Sequence, residues 1–243
     1  MTYCVGMLLD AGLVMLSDSR TNAGVDNISS FRKVAIFERP GERVIVLMTA
    51  GNLSVSQSVV GLLREALAVP EGAPNLYNAA NMFEVARRVG DAVRSVHTRD
   101  AASLEAFKIE FNAMCIVGGQ IAGEPPRLFN VYPAGNFIEA TPETPYFQIG
   151  EFKYGKPIID RVVGRHTSLQ EAAKCSLVSM DSTMRSNLSV GMPLDLVIVR
   201  TDEYAVGSHR IIDGEDAYFR IIRRDWGEAL KHAFMELPDP DWL

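Results

Sequence analysis

The first fifty residues alternate short apolar runs with polar turns, a pattern typical of antiparallel strands. Apolar runs at 3–9 and 13–17 flank the turn residues at 10–12, Asp-Ala-Gly. Two further runs, at 31–37 and 44–48, are joined by a segment rich in charge that also contains proline and glycine. The pattern therefore predicts two β-hairpins at the start of the chain.

The position of the turn sets the pairing within the first hairpin. A turn centred on Ala11 pairs residues whose numbers sum to about 22. Thr2 is then expected opposite Arg20 and diagonally across from Asp18 on the same sheet face. A slip of one residue would move Asp18 to the other face, so the placement of this carboxylate depends on the register.

The second hairpin brings a lysine and a glycine close to the first. Its residues are expected to pair with numbers that sum to about 81, which places Lys33 near Met48 and Gly51 near Ser30. Laid side by side in one sheet, the two hairpins would gather the chain start, a carboxylate, an ammonium group and a glycine amide at one sheet end.

Beyond residue 51, helical and strand patterns alternate in blocks. Apolar residues at helical spacing predict two helices, one starting at 52–54 and one near Asn78. After a second block of strands, a short helix follows Pro157 and a longer one is capped near Ser168, where Glu171 completes a capping box. The later strands are predicted at 111–118, 127–133, 137–140, 146–149 and 193–200.

The last predicted helix carries Phe219, Ile222, Trp226 and Leu230 on one stripe, which is typical of a core-facing helix. Each block of strands is thus followed by helices. This order predicts an α+β fold in which two stacked antiparallel sheets are flanked by helices on the outside.

Composition fits one domain spanning 1–243, because 47% of the residues are apolar and no Pro/Gly/Ser-rich linker divides the chain. A net charge of −6 argues against nucleic acid as a partner, and no apolar run approaches the length of a membrane span. The four histidines match no metal-binding spacing, so neither a metal nor a cofactor is expected. Three scattered cysteines suit reduced thiols and a cytoplasmic protein, and the chain start is not expected to be a signal peptide.

Thr2 is the first candidate for chemistry. An initiator methionine is usually removed when the next residue is as small as threonine, and its removal would give Thr2 a free α-amine beside its hydroxyl. Nucleophile and general base would then belong to one residue. Since the reference pKa of an α-amine is roughly 7.7–8.0, it is suited to taking the hydroxyl proton near neutral pH. This arrangement indicates an enzyme that cleaves amides.

Three downstream residues would support this chemistry. Lys33, held charged by Asp18, would lower the pKa of the α-amine, since like charges at roughly 6 Å repel by about 3 kcal/mol at an effective dielectric of about 20. Asp18 offsets part of this repulsion. Gly51 precedes a predicted helix, so its N–H is suited to donate to an oxyanion, and a substrate can approach its backbone closely.

Each of these residues also has a purely structural explanation. Asp18 and Arg20 can form a surface ion pair, and Lys33 can be a solvated charge on an edge strand. The Thr-Ala-Gly-Asn sequence at 49–52 can be an ordinary turn between a strand and a helix. Only the joint placement of these residues favours catalysis.

A family resemblance is carried by Thr2, Ser17-Asp18-Ser19-Arg20, Arg32-Lys33 and Ala50-Gly51. In these residues the chain resembles the N-terminal-threonine peptidases of proteasome β-subunits and of the bacterial protein HslV. With the run at 149–161 and the closing segment at 238–242, it resembles the bacterial branch called Anbu, the ancestral β-subunit. The resemblance covers essentially the whole chain.

The resemblance implies the four-layer αββα sandwich of N-terminal-nucleophile hydrolases and a threonine peptidase that needs no cofactor. It implies Thr2 as the nucleophile, Asp18 and Lys33 as its activating pair, and Gly51 as the oxyanion donor. Relatives build rings or open spirals, so it also implies a homo-oligomer that shelters its sites. The sequence names no partner unfoldase.

Two positions depart from the proteasome pattern. Glu151 stands where the family has a serine, and Ser186 stands where it has an aspartate, whereas Ser189 carries over. In the family these groups help to hold the α-amine and a water in position. Glu151 can substitute as an acceptor or be a solvated strand-end charge, and Arg20 is a further auxiliary candidate.

Three functions stay open on these residues. The first is a self-assembling threonine peptidase that forms an acyl-enzyme on Thr2 once Met1 is removed. The second is an amidase that acts on small amides, and the third is a weak or inert self-assembling scaffold that keeps the fold.

Overall fold

The structure is a computed structural model that describes residues 1–22, 28–69 and 72–242, with the backbone alone at 22 and 28. These residues form strands and helices that alternate in blocks. The strands are β1 (Tyr3–Leu9), β2 (Gly12–Asp18), β3 (Arg20–Asn22), β4 (Ile28–Ser30), β5 (Val34–Arg39), β6 (Arg43–Gly51), β7 (Ala113–Ile121), β8 (Arg127–Val131), β9 (Phe137–Glu139), β10 (Tyr146–Gly150), β11 (Leu194–Arg200) and β12 (Ser208–Ile212). The helices are α1 (Leu53–Ala68), α2 (Met82–Ala106), α3 (Lys156–Val162), α4 (Leu169–Ser186) and α5 (Ala217–Met235).

Ten strands form two five-stranded antiparallel sheets. The first sheet has the order β10-β1-β2-β11-β12, and the second has the order β5-β6-β7-β8-β9. Strands β3 and β4 pair separately. Every residue of β1 and β2 is buried, because both faces of the first sheet are covered.

Three apolar layers separate four layers of secondary structure. One packs α1 and α2 on the second sheet, and another packs α3, α4 and α5 on the first sheet. The third lies between the sheets, where Leu13 and Met15 of the first sheet face Val46 and Met48 of the second. The predicted αββα sandwich is therefore confirmed. In the part of the chain that the structure describes, no helix has both the length and the apolar character needed to cross a bilayer.

The predicted arrangement of the two hairpins is wrong. They do not lie side by side in one sheet: β1–β2 belongs to the first sheet and β5–β6 to the second. The predicted registers are also off by one residue, since Cys4 pairs with Ser17 and Val34 pairs with Met48. In the first hairpin the cause is a shorter turn, because only residues 10–11 separate the strands.

Two expected neighbours change with these registers. Arg20 lies beyond the end of β2 and pairs with Ser30 in β3–β4, so it is not opposite Thr2. Gly51 is paired with Ala113 of β7, whereas it was expected near Ser30. The site consequently forms between the two sheets.

Most helix boundaries follow the capping signals in the sequence. Asn52 caps α1, and Ser168 caps α4 with Glu171 completing the capping box, as predicted. Helix α2 starts four residues later than predicted because Asn81 is its cap, while Asn78 accepts a hydrogen bond from Asn75 in the preceding loop. Strand β12 is an element that the sequence pattern did not predict.

The start of α2 generates a prediction about stability. The Glu84 carboxylate accepts from Ala80 N (2.7 Å) and from Arg88 Nη2 (2.7 Å), and these contacts hold the pKa of Glu84 at about 2. Because the folded-state pKa is depressed, this stabilisation is present above the ordinary pKa of 4.5 and is lost as pH falls toward 2. Glu84→Gln should lower the free energy of unfolding by about 1 kcal/mol at pH 7.

Urea denaturation at pH 7, 5 and 3 measures this difference, which should shrink toward the lowest pH. Glu65→Gln, on an exposed position of α1, is the control and should change stability by less than about 0.5 kcal/mol at each pH. A deficit in Glu84→Gln that does not vary with pH would show that the charge is not responsible.

Candidate functional site between the two sheets

Thr2 is held in place from its C-terminal side. It directly precedes β1, is 7% exposed, and its carbonyl oxygen accepts a hydrogen bond from Glu151 N at 2.7 Å. The next residue, Tyr3, pairs with Gly150 of β10. A Cβ at Gly150 would lie 1.9 Å from the Thr2 carbonyl oxygen, so this close approach requires glycine. Met1 is 62% exposed.

A buried ion pair lies next to the chain start. Lys33 Nζ is 2.7 Å from Asp18 Oδ1, and both side chains are almost completely buried. The same carboxylate accepts from Tyr3 N at 3.1 Å and from Gly191 N at 3.2 Å. Lys33 also donates to the carbonyl oxygen of Arg20 at 2.7 Å. The pair thus joins the end of β2 to the residue that precedes β5.

The partners of Asp18 fix its charge state. Burial raises the pKa of Asp18, and the Lys33 ammonium together with two backbone N–H groups opposes that rise. Every partner is a donor, and a carboxylate accepts from all of them, whereas a carboxylic acid would present a proton of its own. The geometry is that of an ionised pair.

Gly51 ends β6 immediately before the Asn52 cap of α1. Its φ of +111° lies in the region that favours glycine, and an added Cβ would be 2.3 Å from the carbonyl oxygen of Asn112. The backbone at Gly51 therefore lies at the positive end of a sixteen-residue helix, where an anion is stabilised.

Thr2, Lys33 and Gly51 share one cavity of about 220 Å³, and Asp18 lies behind it in contact with Lys33. The other lining residues are Met1, Thr21, Thr49, Ala50, Asn52, Leu53 and Ser56. The buried hydroxyl oxygen of Thr21 has no hydrogen-bond partner among the described residues. The two sheets therefore bring a hydroxyl, an ammonium group and a helix end to one opening.

A second cavity of about 520 Å³ adjoins the first. The two share Lys33, Thr49, Leu53 and Ser56, and the larger one continues along α1 as far as Arg64. The opening at Thr2 thus leads to additional space beside the helix.

The auxiliary candidates Glu151 and Arg20 both contact the site through backbone atoms, and their side chains have other surroundings. Glu151 contacts Thr2 through its backbone, and its carboxylate lies 3.7 Å from Lys153 Nζ with a buried oxygen that has no hydrogen-bond partner within the described residues. Arg20 contributes its carbonyl oxygen, while its guanidinium donates to the carbonyl oxygen of Leu188 at 2.8 Å.

The two predicted serines lie outside the cavity lining. Ser189 is in the loop between α4 and β11, where its N–H donates to the side chain of Asn187 at 2.9 Å. Ser186 is exposed at the last residue of α4. Ser189 therefore lies in the loop whose Gly191 donates a hydrogen bond to Asp18, whereas Ser186 lies at the end of a helix.

Sequence reasoning named Ser189 in the loop at 187–193 but missed Gly191 in the same loop. Gly191 donates to Asp18 and accepts from the N–H groups of both Ser19 and Arg20. A Cβ at Gly191 would lie 2.3 Å from the Arg20 guanidinium, so a larger residue here would require the Arg20 side chain to move. No spacing rule connects Gly191 to Asp18, and only the fold brings them together.

Cys4 lies close to the site but is unsuited to act as a nucleophile. Burial, followed by the charge of Asp18, raises the pKa of this thiol to about 12, so it stays protonated at neutral pH. Across residues 1–22, 28–69 and 72–242, no three His, Cys, Asp or Glu side chains are grouped as metal ligands.

Two stacked antiparallel sheets flanked by helices, with a threonine at the chain start beside a buried lysine, define a protein of the proteasome type. Solved structures agree with this class. Anbu (ancestral beta-subunit) from Yersinia bercovieri is 52% identical, with 98% of each chain covered and a TM-score of 0.92. An Anbu (Gly-1) mutant from Hyphomicrobium sp. strain MC1 is 51% identical over 99% of this chain and 100% of that one, with a TM-score of 0.92.

A third structure, the helical assembly of the Anbu complex from Pseudomonas aeruginosa, is 48% identical over 98% of each chain, with a TM-score of 0.93. The chain belongs to the Anbu family, which confirms the resemblance seen in the sequence. No protein-family model matches the chain, and no curated protein matches it either.

The buried ion pair generates a prediction. Asp18→Asn would leave the Lys33 ammonium buried without a counter-charge, so the free energy of unfolding should fall by about 3 kcal/mol. Urea denaturation measures the loss. Asp100→Asn, which removes the partner of Arg99 at the surface, is the control and should lose much less stability than Asp18→Asn.

Asp18→Asn combined with Lys33→Met should recover part of the loss, because no uncompensated charge then remains. Equal small losses in Asp18→Asn and Asp100→Asn would contradict the strong coupling of Asp18 and Lys33.

Proposed function

We propose that, after removal of Met1, this protein is a proteasome-like threonine hydrolase that cleaves peptide bonds through an acyl-enzyme on Thr2. The observation that carries the proposal is the shared cavity of Thr2, Lys33 and Gly51, with Asp18 holding the lysine from behind. In this proposal Thr2 is the nucleophile, and Lys33 and Asp18 act through charge and position.

Removal of Met1 is compatible with the position of Thr2. The contacts that hold Thr2 use its own carbonyl oxygen and the strand that follows, so they do not depend on the preceding residue. Met1 itself is exposed and lines the cavity, so its loss would enlarge the opening. The new α-amine would be the general base.

Lys33 supplies the electrostatic part of the mechanism. Lys33 is one of the residues that line the cavity, and a positive charge there disfavours protonation of the nearby α-amine and stabilises a threonine alkoxide. Asp18 and the carbonyl oxygen of Arg20 hold this charge at a fixed point. The field is therefore present before a substrate binds.

The reaction then proceeds by acyl transfer. The α-amine takes the hydroxyl proton while Thr2 Oγ1 bonds to the substrate carbonyl carbon, and the Gly51 N–H donates to the resulting oxyanion. Collapse breaks the carbon–nitrogen bond, and the leaving amine takes the proton. A water, deprotonated by the same α-amine, attacks the ester and releases the acid, which restores the Thr2 hydroxyl.

The adjoining cavity favours peptides over small amides as substrates. Its volume of about 520 Å³ next to the 220 Å³ cavity provides space for a side chain beside the reacting carbonyl. A small amide would leave this space unused. Ser56 and Gln57 are among the residues that line it, so a polar side chain would find hydrogen-bond partners there.

The proposal includes a self-assembling, cytoplasmic protein. The Pseudomonas aeruginosa relative is described as a helical assembly, which supports contacts between copies of this chain. Three buried cysteines without disulfide bonds suit a reducing compartment.

The nucleophile is tested with a peptide epoxyketone, an electrophile that requires a hydroxyl and an α-amine on one residue. Intact mass of the wild-type protein should show loss of Met1 and one adduct, which peptide mapping should place on Thr2. Thr2→Ser should keep the adduct and Thr2→Ala should lose it. A retained Met1, or equal labelling of Thr2→Ala, would contradict the mechanism.

The role of Lys33 is tested by the rate of that labelling. Lys33→Met removes the charge and keeps a similar length, so the labelling rate should fall by about 100-fold or more. Lys108→Met, at an exposed lysine beyond the end of α2, is the control and should leave the rate unchanged. Because Lys33→Met also affects a buried pair, circular dichroism must first show that the variant is folded. A folded Lys33→Met with wild-type rate would contradict the electrostatic role.

A further inference from the structure

The cavity of about 520 Å³ that adjoins the Thr2 cavity has a lining of one charge sign, and we call it the α1 cavity. It lies between the start of β5, the end of β6 and one face of α1, and Arg32, Lys33 and Arg64 are among its lining residues. Among the described residues that line it, none is an aspartate or a glutamate. Three cations without a carboxylate produce a positive potential, which favours an anionic group over a cationic one.

Two of these cations already have buried partners. Lys33 is paired with Asp18, and the Arg32 guanidinium lies 2.6 Å from the carboxylate of Asp195, whose side chain is 3% exposed. Arg64, in contrast, is exposed and forms no ion pair with another described residue. The charge of Arg64 is therefore available to a ligand in the α1 cavity.

Helix α1 separates its core-facing residues from those that face the cavity. Val55 and Val59 are buried in the apolar layer on the second sheet. Gln57, Gly61 and Arg64 follow one another at spacings of four and three residues, so they lie on one face of the helix, and all three line the α1 cavity. A polar helix face thus forms one wall of the cavity.

Gly61 leaves space in the middle of this wall. Glycine is a poor helix former, and Gly61 lies near the centre of a sixteen-residue helix. Packing does not require glycine here, because an added Cβ would meet no atom within 4 Å. The glycine therefore keeps open the part of the cavity next to Arg64, where another molecule can enter.

The length of the α1 cavity selects a long side chain. Ser56 also lines the Thr2 cavity, whereas Arg64 lies eight residues further along the helix, at a distance of roughly 12 Å. Side chains on a helix lean toward its N-terminus, so the arginine side chain covers part of this distance. Glutamate has one methylene group more than aspartate and covers more of the remainder.

We infer that the α1 cavity binds an acidic side chain of the substrate, and that Arg64 determines a specificity for cleavage after glutamate. The inference rests on the proposed function, because it places the reacting carbonyl group in the Thr2 cavity. A guanidinium group can donate two parallel hydrogen bonds to a carboxylate, which a leucine or lysine side chain cannot accept. The substrates are then peptides with an accessible glutamate.

Peptide epoxyketones that differ only in the residue bearing the reactive group test the specificity. The compound with glutamate should label the wild-type protein about tenfold faster than the compound with lysine, with leucine between them. Arg64→Glu should reverse the order of glutamate and lysine, whereas Arg64→Lys should keep it. Arg161→Glu, at an exposed position of α3, makes the same change in net charge and should keep the wild-type order.

Gly61→Leu tests the space beside Arg64. The new side chain would fill part of the cavity, so labelling by the glutamate compound should slow by about tenfold, while a compound with alanine in that position keeps its wild-type rate. Equal labelling by the glutamate and lysine compounds would overturn the inference. An Arg64→Glu variant that still prefers glutamate would also overturn it. In both cases labelling of Thr2 itself would stand.

Binding to Thr2→Ala separates the specificity from the proposed chemistry, because it needs no nucleophile. In isothermal titration calorimetry at low salt, an N-acetylated tripeptide acid ending in glutamate should bind about tenfold more tightly than one ending in lysine. Adding Arg64→Glu to Thr2→Ala should abolish this preference. If no epoxyketone labels Thr2 but the preference is present, the acyl-enzyme proposal fails and the specificity stands. Equal affinities, or binding of neither peptide, would overturn the specificity.

Discussion

The ion pair between Lys33 and Asp18 is the constraint around which this structure is arranged. Transfer of two charges from water to a protein interior costs several kcal/mol for each ion, and only close pairing with further hydrogen bonds offsets that cost. Here Tyr3 N and Gly191 N donate further hydrogen bonds to the Asp18 carboxylate, and the carbonyl oxygen of Arg20 accepts one from the Lys33 ammonium. The chain start, the end of β2, the loop before β11 and the residue before β5 are thereby fixed at one point.

Local patterns predicted the elements well because their causes are local. The capping box at Ser168 and the cap at Asn52 act within a few residues, so the sequence shows where α4 and α1 begin. The relative arrangement of the two hairpins has no such local signal, because the same apolar strands can either pair edge to edge in one sheet or pack face to face in two sheets. Continuous burial of β1 and β2 reflects the second arrangement, and a turn one residue shorter than expected shifted the register.

Residue types in the sequence point to the side chains of the candidate site but not to its backbone contacts. Thr2, Lys33 and Gly51 are candidates by residue type, and the structure places them on one cavity. The partners that orient Asp18 are main-chain N–H groups, which every residue except proline possesses, so residue type carries no signal for them. Gly191 is the clearest case, because its contact with Asp18 spans most of the chain.

Helix α5 shows a further limit of periodicity. An apolar stripe predicts that one face of a helix is buried, but it does not identify what buries that face. Residues of the same chain bury Phe219 and Ile222, whereas Leu230 and Phe234 on the same stripe are exposed. A stripe longer than the layer it packs on is therefore informative in itself.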